Sequence, residues 1–265
     1  MVKVLELFSG TGSVGKCCKE LGWDTVSVDM ILPADHKCDI MDFDYKQYPK
    51  DEFDIVWASP PCTNYSMLKK CWYGRKLKDG TIYSKEQNDI DQDEADKLVL
   101  KSFEIIDYFN TEYWFLENPQ TGNLKNRDIM KDKPFYDVDY CMYSDWGYKK
   151  RTRIWTNKKE FDNKLCDGSG ACGNMILSQH NKVLGNGYEM IDGKKVLCNT
   201  KALRQKHKLN VSKDVHTVGQ RKHKMGIGLG KKQLDAGQVM VKGGGTNRLD
   251  RYRIPEDLIF SLFLD

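Results

Sequence analysis

Four residues carry most of the reactive chemistry this sequence offers: Cys62, Glu117, Arg151 and Arg153. Cys62 stands in Asp54-Ile55-Val56-Trp57-Ala58-Ser59-Pro60-Pro61-Cys62-Thr63-Asn64-Tyr65-Ser66, where an apolar run meets two prolines that stiffen a turn. A thiolate is the side chain best suited to add to a soft, electron-poor carbon such as carbon 6 of a pyrimidine, and that addition makes carbon 5 nucleophilic. A lone cysteine is more often a buried structural residue, which is the expectation for Cys17, Cys18, Cys38 and Cys141. Glu117 ends the apolar run Tyr113-Trp114-Phe115-Leu116. A glutamate there could protonate or hydrogen-bond ring nitrogen N3 and accept from the exocyclic amine as density builds on the ring. Arg151 and Arg153, two residues apart on a strand, would share one face and could hold the pyrimidine O2 and a backbone phosphate.

A second constellation opens the chain: Leu5-Glu6-Leu7-Phe8-Ser9-Gly10-Thr11-Gly12-Ser13-Val14-Gly15. A strand delivered into a glycine turn and followed by a helix lets backbone approach a ligand closely. Taken alone, this spacing also fits a nicotinamide- or flavin-binding turn. Asp29, at the end of the next strand, could accept from ribose hydroxyls of either kind of cofactor. The Pro-Pro-Cys turn discriminates, because hydride transfer has no use for it.

The elements that must position these groups read as an α/β sheet. Strands are expected at 2–8, 24–29, 53–58, 113–117, 136–143 and 153–156, with helices at 13–21 and 92–109. Residues 66–91 lack clear periodicity and are too long for a plain connection. With Lys69, Lys70, Trp72, Tyr73, Arg75, Lys76 and Lys78 they suit a basic, aromatic lid. From Thr156 to Thr246 the texture changes: this span holds 14 of the 22 glycines and 17 Lys/Arg against 7 Asp/Glu. The net charge of +4 is therefore concentrated in an insert of about +10, the field a polyanion binder needs. Arg221-Lys222-His223-Lys224 could clamp phosphate or be plain surface, and Gly243-Gly244-Gly245 reads as an exit hinge. Pro255 starts an apolar C-terminal helix, 258–264, that should pack back on the sheet.

In order and spacing these motifs resemble the cytosine-C5 DNA methyltransferase family, particularly its compact phage and bacterial members of restriction-modification type. The resemblance covers 1–156 and the C-terminal tail. It implies a class I adenosylmethionine-dependent methyltransferase (Rossmann-like) α/β sheet with a small inserted target-recognition region. The domains would be 1–155 catalytic, 156–246 recognition insert, and 247–265 returning to the catalytic part. The resemblance assigns Cys62, Glu117, Arg151 and Arg153 to catalysis. It assigns Phe8, Ser9, Gly10, Thr11, Gly12, Asp29, Met30, Asp39, Ile40 and Pro61 to S-adenosyl-L-methionine. The implied reaction adds Cys62 to carbon 6 of a flipped-out cytosine and moves a methyl group to carbon 5. Double-stranded DNA is the implied partner. Thr63, Pro119 and Lys149 depart from the family's usual glutamine, valine and glutamine, and the Gly-Asn pair of its closing motif is not obvious.

Two alternatives stay open: the same chemistry on tRNA, and a catalytically inactive DNA-binding homologue. Cys166, Cys172, His180 and Cys198 could staple the insert with zinc, but without a Cys-x-x-Cys spacing no metal site is expected. The first residues read as a strand rather than a leader, and nine cysteines at irregular spacing fit a reducing compartment. A monomeric, cytoplasmic chain with no membrane span is expected.

Overall fold

The computed structural model describes residues 1–144, 150–167, the strands 188–191 and 194–197, and 252–264. The chain divides into two compact units, one of 1–138, 151–164 and 252–265, the other of 139–150 and 165–251.

The first unit is built on a six-stranded sheet of order β2-β1-β3-β4-β6-β5. Its strands are β1 (Lys3–Leu7), β2 (Asp24–Val28), β3 (Ile55–Ala58), β4 (Tyr113–Pro119), β5 (Phe135–Asp139) and β6 (Arg151–Thr156). β1 pairs in parallel with β2 and β3, and β3 with β4, while β6 runs antiparallel to β4. From β1 the chain moves to β2 on one side and then returns to β3 on the other. That reversal opens a crevice at the carboxyl ends of β1 and β3, where open α/β sheets bind ligands.

Register sorts the strand residues into two faces. Leu5, Val56, Trp114 and Leu7, Ala58, Leu116, Trp155 follow one another across the sheet. Most of these belong to the core that α2 (Lys85–Phe109) covers with Val99, Phe103, Ile106 and Phe109. On the opposite face Trp57 stacks on Phe115, and both meet Phe263 of α3 (Glu256–Leu264). Phe263 also stacks on Trp23, just past α1 (Ser13–Leu21), so α1 and α3 share that side. Both faces of the central strands are buried, which is why they read as near-continuous apolar runs.

Helix α1 falls on its expected span, closed by Gly22 in the left-handed region. Helix α2 begins seven residues earlier than expected: Ser84 accepts from the Gln87 backbone N–H and starts it. Its first turns bury Asn88 and Gln92 and leave the apolar Ile90 exposed, so no apolar periodicity marks them. β5 ends before its expected boundary because Tyr140–Met142 tightens into a 3₁₀ turn. The C-terminal helix is present, and Leu258, Ile259 and Leu262 are buried. Within the second unit the chain forms an antiparallel pair, β7 (Tyr188–Ile191) with β8 (Lys194–Leu197). The intervening Asp192-Gly193 is a two-residue hairpin signal that the insert's glycine-rich texture obscures. No helix among the described residues is long and apolar enough to cross a membrane.

Candidate active site

Register brings three loops to one rim. Leu7, Ala58 and Leu116 lie abreast at the ends of β1, β3 and β4. The glycine turn leaves directly after Leu7, Cys62 stands four residues past Ala58, and Glu117 follows Leu116. Cys62 is half-buried; of the four cysteines expected in the interior, Cys17, Cys18 and Cys141 are buried, and Cys38 is instead half-buried. Asn118 ties two of the loops together: its side-chain N–H donates to the Pro60 carbonyl at 2.9 Å. The Cys62 carbonyl accepts from Tyr65 N–H at 3.2 Å, closing the turn behind the thiol. Glu117 is buried beside Asn118 at the rim.

The glycine turn is built as a ligand cradle. Gly10 and Gly12 adopt φ of 55° and 67°, and Phe8, a non-glycine residue, adopts φ 57°. Such backbone collects where a ligand is clamped, because surrounding contacts must hold it there. A Cβ built on Gly12 would meet nothing within 4 Å, so the turn has open space above it. Ser9 is buried, and its hydroxyl has no partner among the described residues. An orphaned hydroxyl beside open backbone fits a cofactor carrying polar groups. Phe8 packs against the core from the same turn.

Asp29, expected at a ribose, is bonded to backbone on both sides. One oxygen accepts from Gly10 N–H at 2.9 Å, the other from Ile31 and Leu32 N–H at 2.8 and 2.7 Å. The carboxylate thus staples the glycine turn to the loop after β2, leaving about one lone pair of its roughly four for a ligand. Met30 is exposed beside it. Asp39 caps a short turn by accepting from Met41 N–H at 2.9 Å, while Ile40 is buried in the core. Pro61 is exposed at the rim.

Against the chains of known proteins the similarity is specific. Over 176 residues the sequence is 41% identical to the "Probable DNA (cytosine-5)-methyltransferase" of Frog virus 3 (isolate Goorha), spanning 66% of this chain and 79% of that one. The chain belongs to the DNA (cytosine-5)-methyltransferase family. Two solved structures are also similar to this chain. Entamoeba histolytica EhMeth is 17% identical, with 63% of this chain and 56% of that chain covered at TM-score 0.45. S. pombe Dnmt2 is 12% identical, with coverage of 64% and 52% at TM-score 0.35. This chain spans about half of each of those two. A scan against models of protein families finds no match.

Arg151 and Arg153 are not grouped with Glu117. Glu117 pairs across from Ile154 and Asn118 from Arg153, so Glu117 and Arg153 leave the sheet on opposite faces. Arg153 donates from Nε and Nη2 to both oxygens of Asp137, at 2.7 and 2.9 Å, with its guanidinium 3.5 Å from the Phe135 ring centre. To reach a pyrimidine it would have to leave that bidentate pair. Arg151 shares its strand face, one turn of pleat nearer the rim, and its carbonyl accepts from Gln120 N–H at 3.1 Å. A cleft of about 510 Å³ lined by Lys125, Lys133, Phe135, Arg153 and Trp155 takes in no residue of the Cys62 or glycine turns.

Two positioning residues went unmarked in the sequence. Glu6, buried in β1, accepts from Val14 and Gly15 N–H at 3.1 and 3.0 Å and caps the start of α1. Its signal was an acid inside an otherwise apolar strand. Tyr252 lies against Gly10, and Ile254 N–H donates to Ser13 Oγ at 3.2 Å, so the tail closes on the glycine turn. Lys149, the basic run 221–224, the hinge 243–245 and three of the zinc candidates, Cys172, His180 and Cys198, lie outside the described residues; Cys166 is buried.

Proposed function

We propose that the chain methylates carbon 5 of cytosine in double-stranded DNA with Cys62 as nucleophile and S-adenosyl-L-methionine as donor. The observation that carries this reading is the Pro-Pro-Cys turn, pinned by Asn118 to the strand that presents Glu117, in a chain of this family. Phe8, Ser9, Gly10, Thr11 and Gly12 would hold the donor, with Asp29 and Met30 at its ribose and adenine. Asp39, Ile40 and Pro61 would complete the wall. When bound, the donor supplies an electrophilic methyl group on a sulfonium sulfur.

The residues of the chain do the rest. Cys62 gives up its proton and its sulfur bonds to carbon 6 of an extruded cytosine, pushing electrons toward carbon 5. Glu117 holds N3 and the exocyclic amine, so charge on the ring is met by a fixed group rather than by water. Carbon 5 accepts the methyl group and then loses its proton to a base. The carbon–sulfur bond breaks and the thiolate is restored. Arg151 and Arg153 would hold the pyrimidine O2 and a backbone phosphate, Arg153 only after leaving its pair with Asp137. The insert supplies the positive field for duplex DNA, and the reaction is placed in the cytoplasm, where the thiol stays reduced.

Bisulfite sequencing of DNA from cells expressing the chain should show new 5-methylcytosine at a defined site. Cys62→Ala should abolish it while donor affinity stays within about twofold. Methylation of tRNA but not duplex DNA by the purified chain, or undiminished methylation by Cys62→Ala, would overturn the proposal.

A further inference from the structure

Helix α2 meets the rim with polar side chains where a buried helix face ordinarily offers apolar ones. Asn88, Gln92 and Asp96, four residues apart and hence on one stripe, are all buried. Asp96 is the crossing point. Its Oδ1 accepts from Tyr65 OH at 2.8 Å and its Oδ2 from Arg127 Nε at 2.8 Å. Tyr65 belongs to the Cys62 turn, its backbone N–H bonded to the Cys62 carbonyl. Arg127 belongs to the segment that follows Glu117 and β4.

The two segments also touch directly. Asn123 N–H donates to the Tyr65 carbonyl at 2.8 Å, and the Asn123 side chain donates to Gln92 Oε1. A Cβ on Gly122 would lie 3.1 Å from the Pro119 carbonyl oxygen and 3.5 Å from that of Tyr65. Toward the lid, Asp91 accepts from Lys69 Nζ at 2.6 Å and Tyr83 OH at 2.8 Å, and Asn64 Nδ2 donates to its carbonyl at 2.9 Å. The same helix therefore holds, by directed bonds, the loop after β3 and the loop after β4.

We infer that Asp96 is a positioning residue, setting the Cys62 turn against the Glu117 segment through Tyr65 and Arg127. The inference rests on the proposed function, since it concerns the spacing of that site's nucleophile and acid. Apolar contacts would bury this helix face as favourably, but they are non-directional and let loops slide. Hydrogen bonds from a hydroxyl and a guanidinium to the two oxygens of one carboxyl group fix both distance and direction. A reaction that needs sulfur in line with carbon 6 loses rate steeply when the nucleophile shifts by a fraction of an ångström. Burial and the neighbouring carboxylate push the Tyr65 hydroxyl far up, so it remains a donor throughout the working pH range.

The test compares Asp96→Asn, Tyr65→Phe and, as control, Glu94→Gln, whose exposed partner is Lys97. Rates are measured per donor-binding molecule: kcat and KM on duplex DNA, and covalent trapping on a duplex carrying 5-fluorocytosine, whose fluorine blocks release of the enzyme. Asp96→Asn should trap on the order of tenfold more slowly, or worse, with donor affinity and KM for DNA within about twofold. Tyr65→Phe should slow trapping in the same way. The double variant should be less impaired than two independent losses predict, because both changes break one crossbar. Glu94→Gln should match wild type. Trapping by both single variants within about twofold of wild type would overturn the inference. So would a loss that disappears once rates are counted per donor-binding molecule. A wild-type chain that traps no fluorinated duplex would overturn the proposed function itself, and this inference with it; only the variant-to-wild-type ratio tests Asp96 separately.

Discussion

Glu6 shows how one residue links the sheet to the glycine turn. It is 3% exposed, and burial raises its pKa from 4.5 to about 7, against the pull of the Gly15 and Val14 N–H bonds. The folded chain therefore keeps a proton between about 4.5 and 7 that the unfolded chain has already released. Stability from this group is full below 4.5 and is lost as pH rises through about 7, a change of about 3 kcal/mol. Urea unfolding of wild type and Glu6→Gln across that range should show the difference between them shifting toward the glutamine variant by about that amount. A difference that stays flat with pH would show that the carboxyl titrates near its ordinary value. The rim positions of Cys62 and Glu117 follow from the apolar runs that precede them, whereas Asp29 and Arg153, read as ribose and pyrimidine contacts, have partners that the sequence did not show. That Asp29 staples the glycine turn and Arg153 holds Asp137 depends on where other strands deliver their partners.

Among elements, the strands and α1 were readable because both strand faces are buried and α1 ends in a glycine that only the left-handed region suits. The first turns of α2 were not. Asn88, Gln92 and Asp96 face inward to bond two loops that arrive from opposite ends of the helix's own sequence, and a window of neighbouring residues contains no trace of those partners. The same loops make Gly122 a sensitive point. Replacing it with alanine forces a methyl group against the Pro119 carbonyl oxygen at 3.1 Å, where backbone rather than a pliable side chain must give way. Gly122→Ala should lower stability by about 1–3 kcal/mol and reduce kcat more than donor affinity. Thermal unfolding with single-turnover kinetics would check it, and unchanged kcat would show that the contact between the loops is slack.

At the scale of the whole molecule, charge is segregated: the span 156–246 carries about +10 while the chain totals +4. If the insert contributes phosphate contacts, duplex affinity should fall steeply with salt. Six or more contacts would weaken binding by about 10³-fold or more between 50 and 200 mM salt. A filter-binding series would measure this, and a loss of less than about tenfold would mean that few phosphates are engaged. The sequence alone determined the reaction class, since a cysteine after two prolines, a glutamate closing an apolar run and a glycine turn are local features and keep their meaning out of context. Tertiary structure decided which charges are already committed and which loops are held together. Those facts depend on pairings such as Tyr65 with Asp96 and Asp96 with Arg127, each between residues 31 positions apart along the chain. Only the folded sheet and its long helix bring such partners within bonding distance.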